Sequence, residues 1–142
     1  MTEMQPVRLH FTVDGGNFAS AGMASEAVKL RLKQIGIDPA AIRRVAISMY
    51  EAEINMVLHA GGGEAYIDIY PTHVCLKMSD TGPGIDNIEL AMQEGYSTAA
   101  DSIRSLGFGA GMGLPNMKKY SDRFELTSEV GKGTTVKMRI NI

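Results

Sequence analysis

From Val7 to Val13 the apolar residues Val7, Leu9, Phe11 and Val13 alternate with Arg8, His10 and Thr12, the two-residue period of a strand with one buried face. Asp14-Gly15-Gly16-Asn17 supplies a turn to end it. The period then changes. Between about Phe18 and Ile35, Met23, Ala27, Val28 and Leu30 recur at helical spacing, and Gly36 stands where a C-terminal stop belongs. Asp38-Pro39 opens a second helix as N-cap and first-turn proline, running to about Ala60, where Gly61-Gly62-Gly63 breaks it. Ala65, Ile67 and Ile69 mark a second strand, Pro71-Thr72-His73 a turn, and Val74 to Ser79 a third strand, which together predict a hairpin. A last helix is expected from about Leu114 to Tyr120, then two closing strands carrying Phe124 and Leu126, and Val136, Met138 and Ile140, joined at Gly131-Lys132-Gly133. Strands collected late, with helices between, predict an α+β sandwich rather than a doubly wound parallel sheet. Residues 86 to 111 follow neither period, and a long weakly patterned stretch inside a compact domain is usually a functional lid or disordered.

One polar residue breaks the pattern of the third strand. Alternate strand residues share a face, so Asp80 falls in line with Val74, Leu76 and Met78. A carboxylate aimed at the core needs a donor opposite it, from the protein or from a ligand. The Thr81-Gly82-Pro83-Gly84-Ile85 that follows lets backbone approach something flat. On the second helix Glu51, Asn55 and His59 recur every fourth residue and drift only about 80° around it, with Ser48 between them. Ile42, Val45, Met49 and Met56 oppose this stripe, and Ile47, Ile54 and Leu58 form a second apolar flank. A glutamate, a carboxamide and an imidazole so enclosed suit a general base, a metal ligand and a phosphate contact, although a solvent-facing helix edge would also give such a stripe. Glu53 lies about 160° from Asn55 around the helix, so it cannot share a ligand with it. It is expected at a contact with the first helix or a partner subunit.

Composition adds boundaries rather than chemistry. With 142 residues the chain has room for one domain with a real core, spanning 1–142. A formal charge of −2 gives no global field to attract nucleic acid or an anionic membrane. Cys75 is the only cysteine and has no internal partner, and no apolar stretch approaches the ~20 residues of a membrane span. Met1-Thr2-Glu3-Met4-Gln5-Pro6 does not read as a secretory signal, so a cytoplasmic location is expected.

Gly107-Phe108-Gly109-Ala110-Gly111-Met112-Gly113 sets glycine at every second position before a helix, which suits amides converging on phosphate at a helix N-terminus. A flexible loop would show the same residues. It lacks the Gly-Lys-Ser/Thr of a P-loop and the preceding strand of a dinucleotide fold. Thr134 shares strand parity with Val136, Met138 and Ile140, so its hydroxyl is expected to face inward, as a core threonine's also would.

Taken together, in order and with this spacing, these motifs resemble the GHKL superfamily, whose Bergerat fold is an ATP-binding two-layer α/β sandwich. That fold has a mixed, mostly antiparallel sheet, helices on one face and an ATP lid. Glu51-Ala52-Glu53-Ile54-Asn55 with His59 is similar to its N box, Asp80 to Gly84 to its first glycine box, Gly107 to Leu114 to its second, and Gly133-Thr134 to its last motif. The resemblance implies that Asp80 accepts the adenine amino group, with Thr134 helping through water, that Asn55 holds Mg²⁺, and that the lid glycines wrap the triphosphate. The nucleotide-binding set it implies comprises Asn55, His59, Asp80, Gly82, Gly84, Ile85, Ser97, Thr98, Gly107, Gly109, Gly111, Met112, Gly113, Leu114 and Thr134.

Ala91 to Thr98 and Gly111-Met112-Gly113-Leu114-Pro115 most resemble the bacterial anti-sigma-factor serine/threonine kinase branch, of the RsbT, RsbW and SpoIIAB kind. In that branch the glutamate four residues before the Mg²⁺ asparagine is the catalytic base, which lands on Glu51. The implied activity is ATP-dependent phosphorylation of a STAS-domain, anti-anti-sigma-type protein, with a sigma factor as a second partner and a homodimer left open. The alternative is an anti-sigma factor or nucleotide-gated binding switch without substantial kinase activity. Ala99 to Leu106 is extra length relative to the compact members, which bears on lid behaviour and partner choice.

Overall fold

A computed structural model describes residues 6–16, 21–93 and 113–142. Its elements are β1 (Val7–Asp14), α1 (Met23–Ile35), α2 (Pro39–Asn55) continued by a π-helical turn (Met56–Ala60), β2 (Gly62–Ile69), β3 (His73–Ser79), α3 (Ile88–Ala91), α4 (Gly113–Tyr120), β4 (Arg123–Glu129) and β5 (Gly133–Asn141). The strands form one sheet in the order β1-β2-β3-β5-β4, and all four pairings are antiparallel.

Register explains why the described helices cover one face. Leu9, Ile67, Leu76, Met138 and Phe124 lie opposite one another across all five strands, as do Phe11, Ala65, Met78, Val136 and Leu126. The apolar phase of every strand therefore points the same way, and α1, α2 and α4 pack there over a core that includes Leu32, Val45, Met49 and Met117. The opposite face carries Arg8, His10, Tyr66, Lys77, Lys137 and Arg123.

Several elements differ in detail from the sequence pattern. In α1 the inward residues are Ala24, Val28 and Leu32, whereas Met23 and Leu30 are 68% and 57% exposed. That helix carries apolar residues on two faces, so periodicity alone cannot say which is buried. Asp38 occupies the N-cap of α2 but makes no side-chain cap bond there. Ser48 is fully buried, and its Oγ has no hydrogen-bond partner among the described residues. Residues 86–93 include a short helix whose cap is Asn87, Oδ1 of which accepts the Leu90 N–H at 3.0 Å. The expected lid, with Ser97, Thr98, Gly107, Gly109, Gly111 and Met112, lies outside the described residues.

The α1 N-terminus carries the largest surprise. Gly22 is its N-cap and has no side chain to offer. Glu53, only 2% exposed, reaches from α2 instead: its carboxylate accepts the N–H groups of Gly22 at 2.8 Å, Ala24 at 3.2 Å and Ser25 at 3.0 Å. A buried charge is thereby satisfied by unpaired helix-start donors, and the positive end of the helix dipole favours it.

Candidate functional site

Two clusters meet where α2, the first glycine box and the start of α4 converge. The first is built on Asp80. Its backbone N–H donates to the Thr134 carbonyl at 2.9 Å, and its Oδ1 accepts the N–H of Gly82 at 3.0 Å and of Thr134 at 3.1 Å. These bonds fix the carboxylate plane and leave Oδ2 without a hydrogen bond among the described residues. A half-buried, immobilised acceptor is what a base-reading group requires. Gly82 packs so closely on Ala60 that a Cβ would come within 2.6 Å of the alanine Cβ, so backbone substitutes for side chain beside the aspartate.

Thr134 and Ser128 share a hydroxyl bond of 2.9 Å, and Ser128 Oγ also accepts the Ile85 N–H at 2.8 Å. The threonine hydroxyl is therefore held by β4 rather than pointed freely at Asp80. Ser128, which no motif singled out, is the residue that ties the glycine box to the closing hairpin. Gly84 and Ile85 stand at that hairpin: Gly84, at φ +80°, faces the Glu129 carbonyl, and Ile85 packs on the core.

The second cluster is Glu51, Asn55 and the start of α4. A Cβ on Gly113 would lie 3.2 Å from both polar atoms of the Asn55 carboxamide and 3.4 Å from Glu51 Oε2. A side chain there would crowd the Asn55 carboxamide, so glycine lets α4 begin close above the α2 stripe. Asn116, one turn further on, donates Nδ2–H to Glu51 Oε1 at 3.5 Å. The glutamate is half-buried, and desolvation raises its pKa against the smaller lowering effect of the Asn116 bond. Leu114 sends its side chain into the core with Met117, so only its backbone in the first turn of α4 can face a ligand.

Beyond Asn55 the helix widens into the π turn, which alters the spacing assumed for a regular helix and re-aims His59. His59 is exposed, and desolvation lowers its pKa, so at neutral pH it offers a neutral imidazole rather than a cation. The turn's last residue, Ala60, is the one Gly82 rests on, which joins the two clusters through the backbone. Among the described residues no group of three or more His, Cys, Asp or Glu could hold a metal. Mg²⁺ characteristically takes one or two protein oxygens and completes its shell with phosphates and water, so the single half-buried Asn55 carboxamide suits that ion better than a dedicated cage would.

Residues 38–142 match the sequence profile of the histidine kinase-, DNA gyrase B- and HSP90-like ATPases. The chain belongs to that ATPase family. Within it, 108 residues are 31% identical to the serine/threonine-protein kinase RsbT of Bacillus subtilis, covering 73% of this chain and 75% of that one. The anti-sigma F factor of Clostridium acetobutylicum is 33% identical over 128 residues, 87% of this chain and 82% of the relative. Two solved structures share the fold. The RsbU and RsbW domains of a Mycobacterium tuberculosis protein superpose with a TM-score of 0.63 at 16% identity, over 96% of this chain and a third (33%) of that one. The SiaB-SiaC complex of Pseudomonas aeruginosa gives 0.55 at 13% identity, over 94% and 89%. No described helix of this family member is long and apolar enough to cross a membrane.

Proposed function

We propose that this ATPase-family chain is a serine/threonine protein kinase that transfers the γ-phosphoryl group of ATP to a STAS-domain regulator. The observation that carries the reading is the start of α4 set on the α2 stripe, Gly113 against both Glu51 and Asn55. Phosphoryl transfer asks mainly for positioning and for stabilisation of charge. Asp80 reads the adenine amino group through Oδ2 and fixes the nucleotide's depth. The α4 N-terminus directs its amides toward the phosphates, where no Cβ intervenes at its first residue. Asn55 would hold Mg²⁺, which when bound neutralises phosphate charge. Glu51 accepts the acceptor hydroxyl's proton, and half-burial keeps this carboxylate more basic than an exposed one.

The names of the relatives support the same reading from outside the geometry, since one is a serine/threonine-protein kinase and several are anti-sigma F factors. A sigma factor as second partner, a cytoplasmic location and a single domain over 1–142 belong to the same proposal. A binding switch without transfer is the reading that replaces it if no acceptor is phosphorylated.

The test is single-turnover transfer from labelled ATP to the STAS proteins of the same genome. Glu51→Gln should bind ATP and acceptor normally and lose about 10²- to 10⁴-fold in rate, the range of a positioned base. Because the base must be ionised and its pKa is raised, transfer should fall as pH drops through a value above the usual glutamate range. Near wild-type transfer by Glu51→Gln removes the base assignment.

A further inference from the structure

Glu51 presents two unlike oxygens. Oε2 faces the first residue of α4, 3.4 Å from where a Gly113 Cβ would stand, while Oε1 accepts the Asn116 carboxamide at 3.5 Å. No other hydrogen bond to this carboxylate occurs among the described residues. Residues three apart on a helix share a face, so Asn116 lies on the side of α4 that Gly113 turns toward α2. The helix itself is anchored: Leu114 and Met117 are buried in the core, and at its far end Ser121 Oγ donates to the Met117 carbonyl at 2.6 Å. Asn116 is thus a donor fixed by a packed element, aimed at one oxygen of a carboxylate whose terminal torsion is otherwise soft.

We propose that Asn116 is a positioning residue for phosphoryl transfer, pinning Oε1 of Glu51 so that Oε2 is turned toward the acceptor hydroxyl. This rests on the reading of Glu51 as the base. In the step, the acceptor oxygen bonds to the γ-phosphorus as the bond from that phosphorus to the β–γ bridging oxygen breaks. ADP leaves with the electron pair, and the hydroxyl proton passes to Glu51 Oε2. Asn116 touches none of the reacting atoms. Its effect is to remove orientations of the carboxylate in which neither lone pair meets the proton, and misplacement of a reacting group by about an ångström can cost roughly 10²-fold.

The experiment compares Asn116→Ala, Asn116→Asp and Asn116→Gln with wild type and Glu51→Gln in the STAS transfer assay, with circular dichroism and ATP affinity measured on each. Asn116→Ala should lower kcat about ten- to a hundredfold with the KM for ATP within about twofold. Asn116→Asp keeps the shape but loses the donor and should be as slow or slower, whereas Asn116→Gln, which retains a carboxamide, should recover part of the rate. Asn116→Ala should add nothing to Glu51→Gln. If Glu51→Gln is inactive and Asn116→Ala transfers with wild-type kcat, the positioning role is overturned while the base survives. Equal loss in KM and kcat across all three Asn116 variants, with no recovery by glutamine, also overturns it and leaves a structural role. If Glu51→Gln transfers normally, or wild type phosphorylates no STAS protein, the reading beneath it falls and the inference falls with it.

Discussion

At the scale of single residues the site is a set of unequal carboxylates. Asp80, Glu51 and Glu53 carry the same group, and their surroundings divide the work. Asp80 is fixed by two backbone amides and keeps one oxygen open, Glu51 is half-buried and held by one carboxamide, and Glu53 is sealed under a helix end. The open oxygen of Asp80 leads to a direct expectation: Asp80→Asn should lose ATP and ADP binding while the domain stays folded. Asparagine can keep the acceptor oxygen on the Gly82 and Thr134 amides, but it then presents an amino group to the adenine amino group. The loss should be about 1.5–3 kcal/mol, the range for a hydrogen bond to a charged group. Titration calorimetry on a protein with native circular dichroism measures it, and an affinity within about twofold of wild type would take Asp80 out of the base pocket.

At the scale of elements, what could be read in the sequence depended on whether one residue's environment was set locally. The alternations at Val7 to Val13 and Val74 to Ser79, the glycine that ends α1, and the tight turn before His73 involve near neighbours, and the structure has them. Glu51 and Asn55 share a helix, so their common face was also legible. Glu53's contact with the first helix was one of the two placements expected, but its capping role was not legible, because its partners are amides 28 to 31 residues away whose need for a cap arises only when α1 packs on α2. Asn116 and Ser128 were missed for the same reason, since each acquires meaning from a different element. The capping arrangement is testable by its sign. Glu53→Ala removes the acceptor from three N–H groups, two of them buried, and should destabilise the domain by about 2–3 kcal/mol, whereas an exposed helix charge would cost a few tenths. Urea unfolding reads the difference as a lowered midpoint at unchanged slope. An unfolding free energy within about 0.5 kcal/mol of wild type would show that Glu53 does not hold the start of α1.

At the scale of the whole molecule the two faces of the sheet have separate tasks. The apolar face carries the helices and positions the site, and Arg44 on α2 ties that layer to the sheet's end through Asp122 at 3.2 Å and the Asn141 carbonyl. The polar face is divided by charge. On its β1–β2 side the acids have partners, Asp68 an ion pair with Arg8 at 3.5 Å and Glu64 hydrogen bonds with His10 at 2.6 Å and Thr12 at 3.0 Å. Across β3, β5 and β4 the register sets Lys137 between Lys77 and Glu125, and Arg123 opposite Arg139, and none of these four cations makes an ion pair among the described residues. Like charges directly opposite on neighbouring strands cost stability, so the Arg123–Arg139 pair is a repulsion that substitution can remove. Arg123 is the cleanest probe, being exposed on the edge strand and remote from Asp80 and Glu51 in register. Arg123→Glu should stabilise the domain by about 0.2–1 kcal/mol in dilute buffer, and Arg123→Gln by less, because the first converts a repulsion into an attraction and the second only removes it. The gain should shrink in 1 M salt, where the screening length falls to about 3 Å. ATP affinity should not move, since the substitution lies on the face turned away from the helices. An unchanged or lowered urea midpoint for Arg123→Glu would mean that solvent already screens the pair, and that Arg123 opposite Arg139 costs the fold nothing.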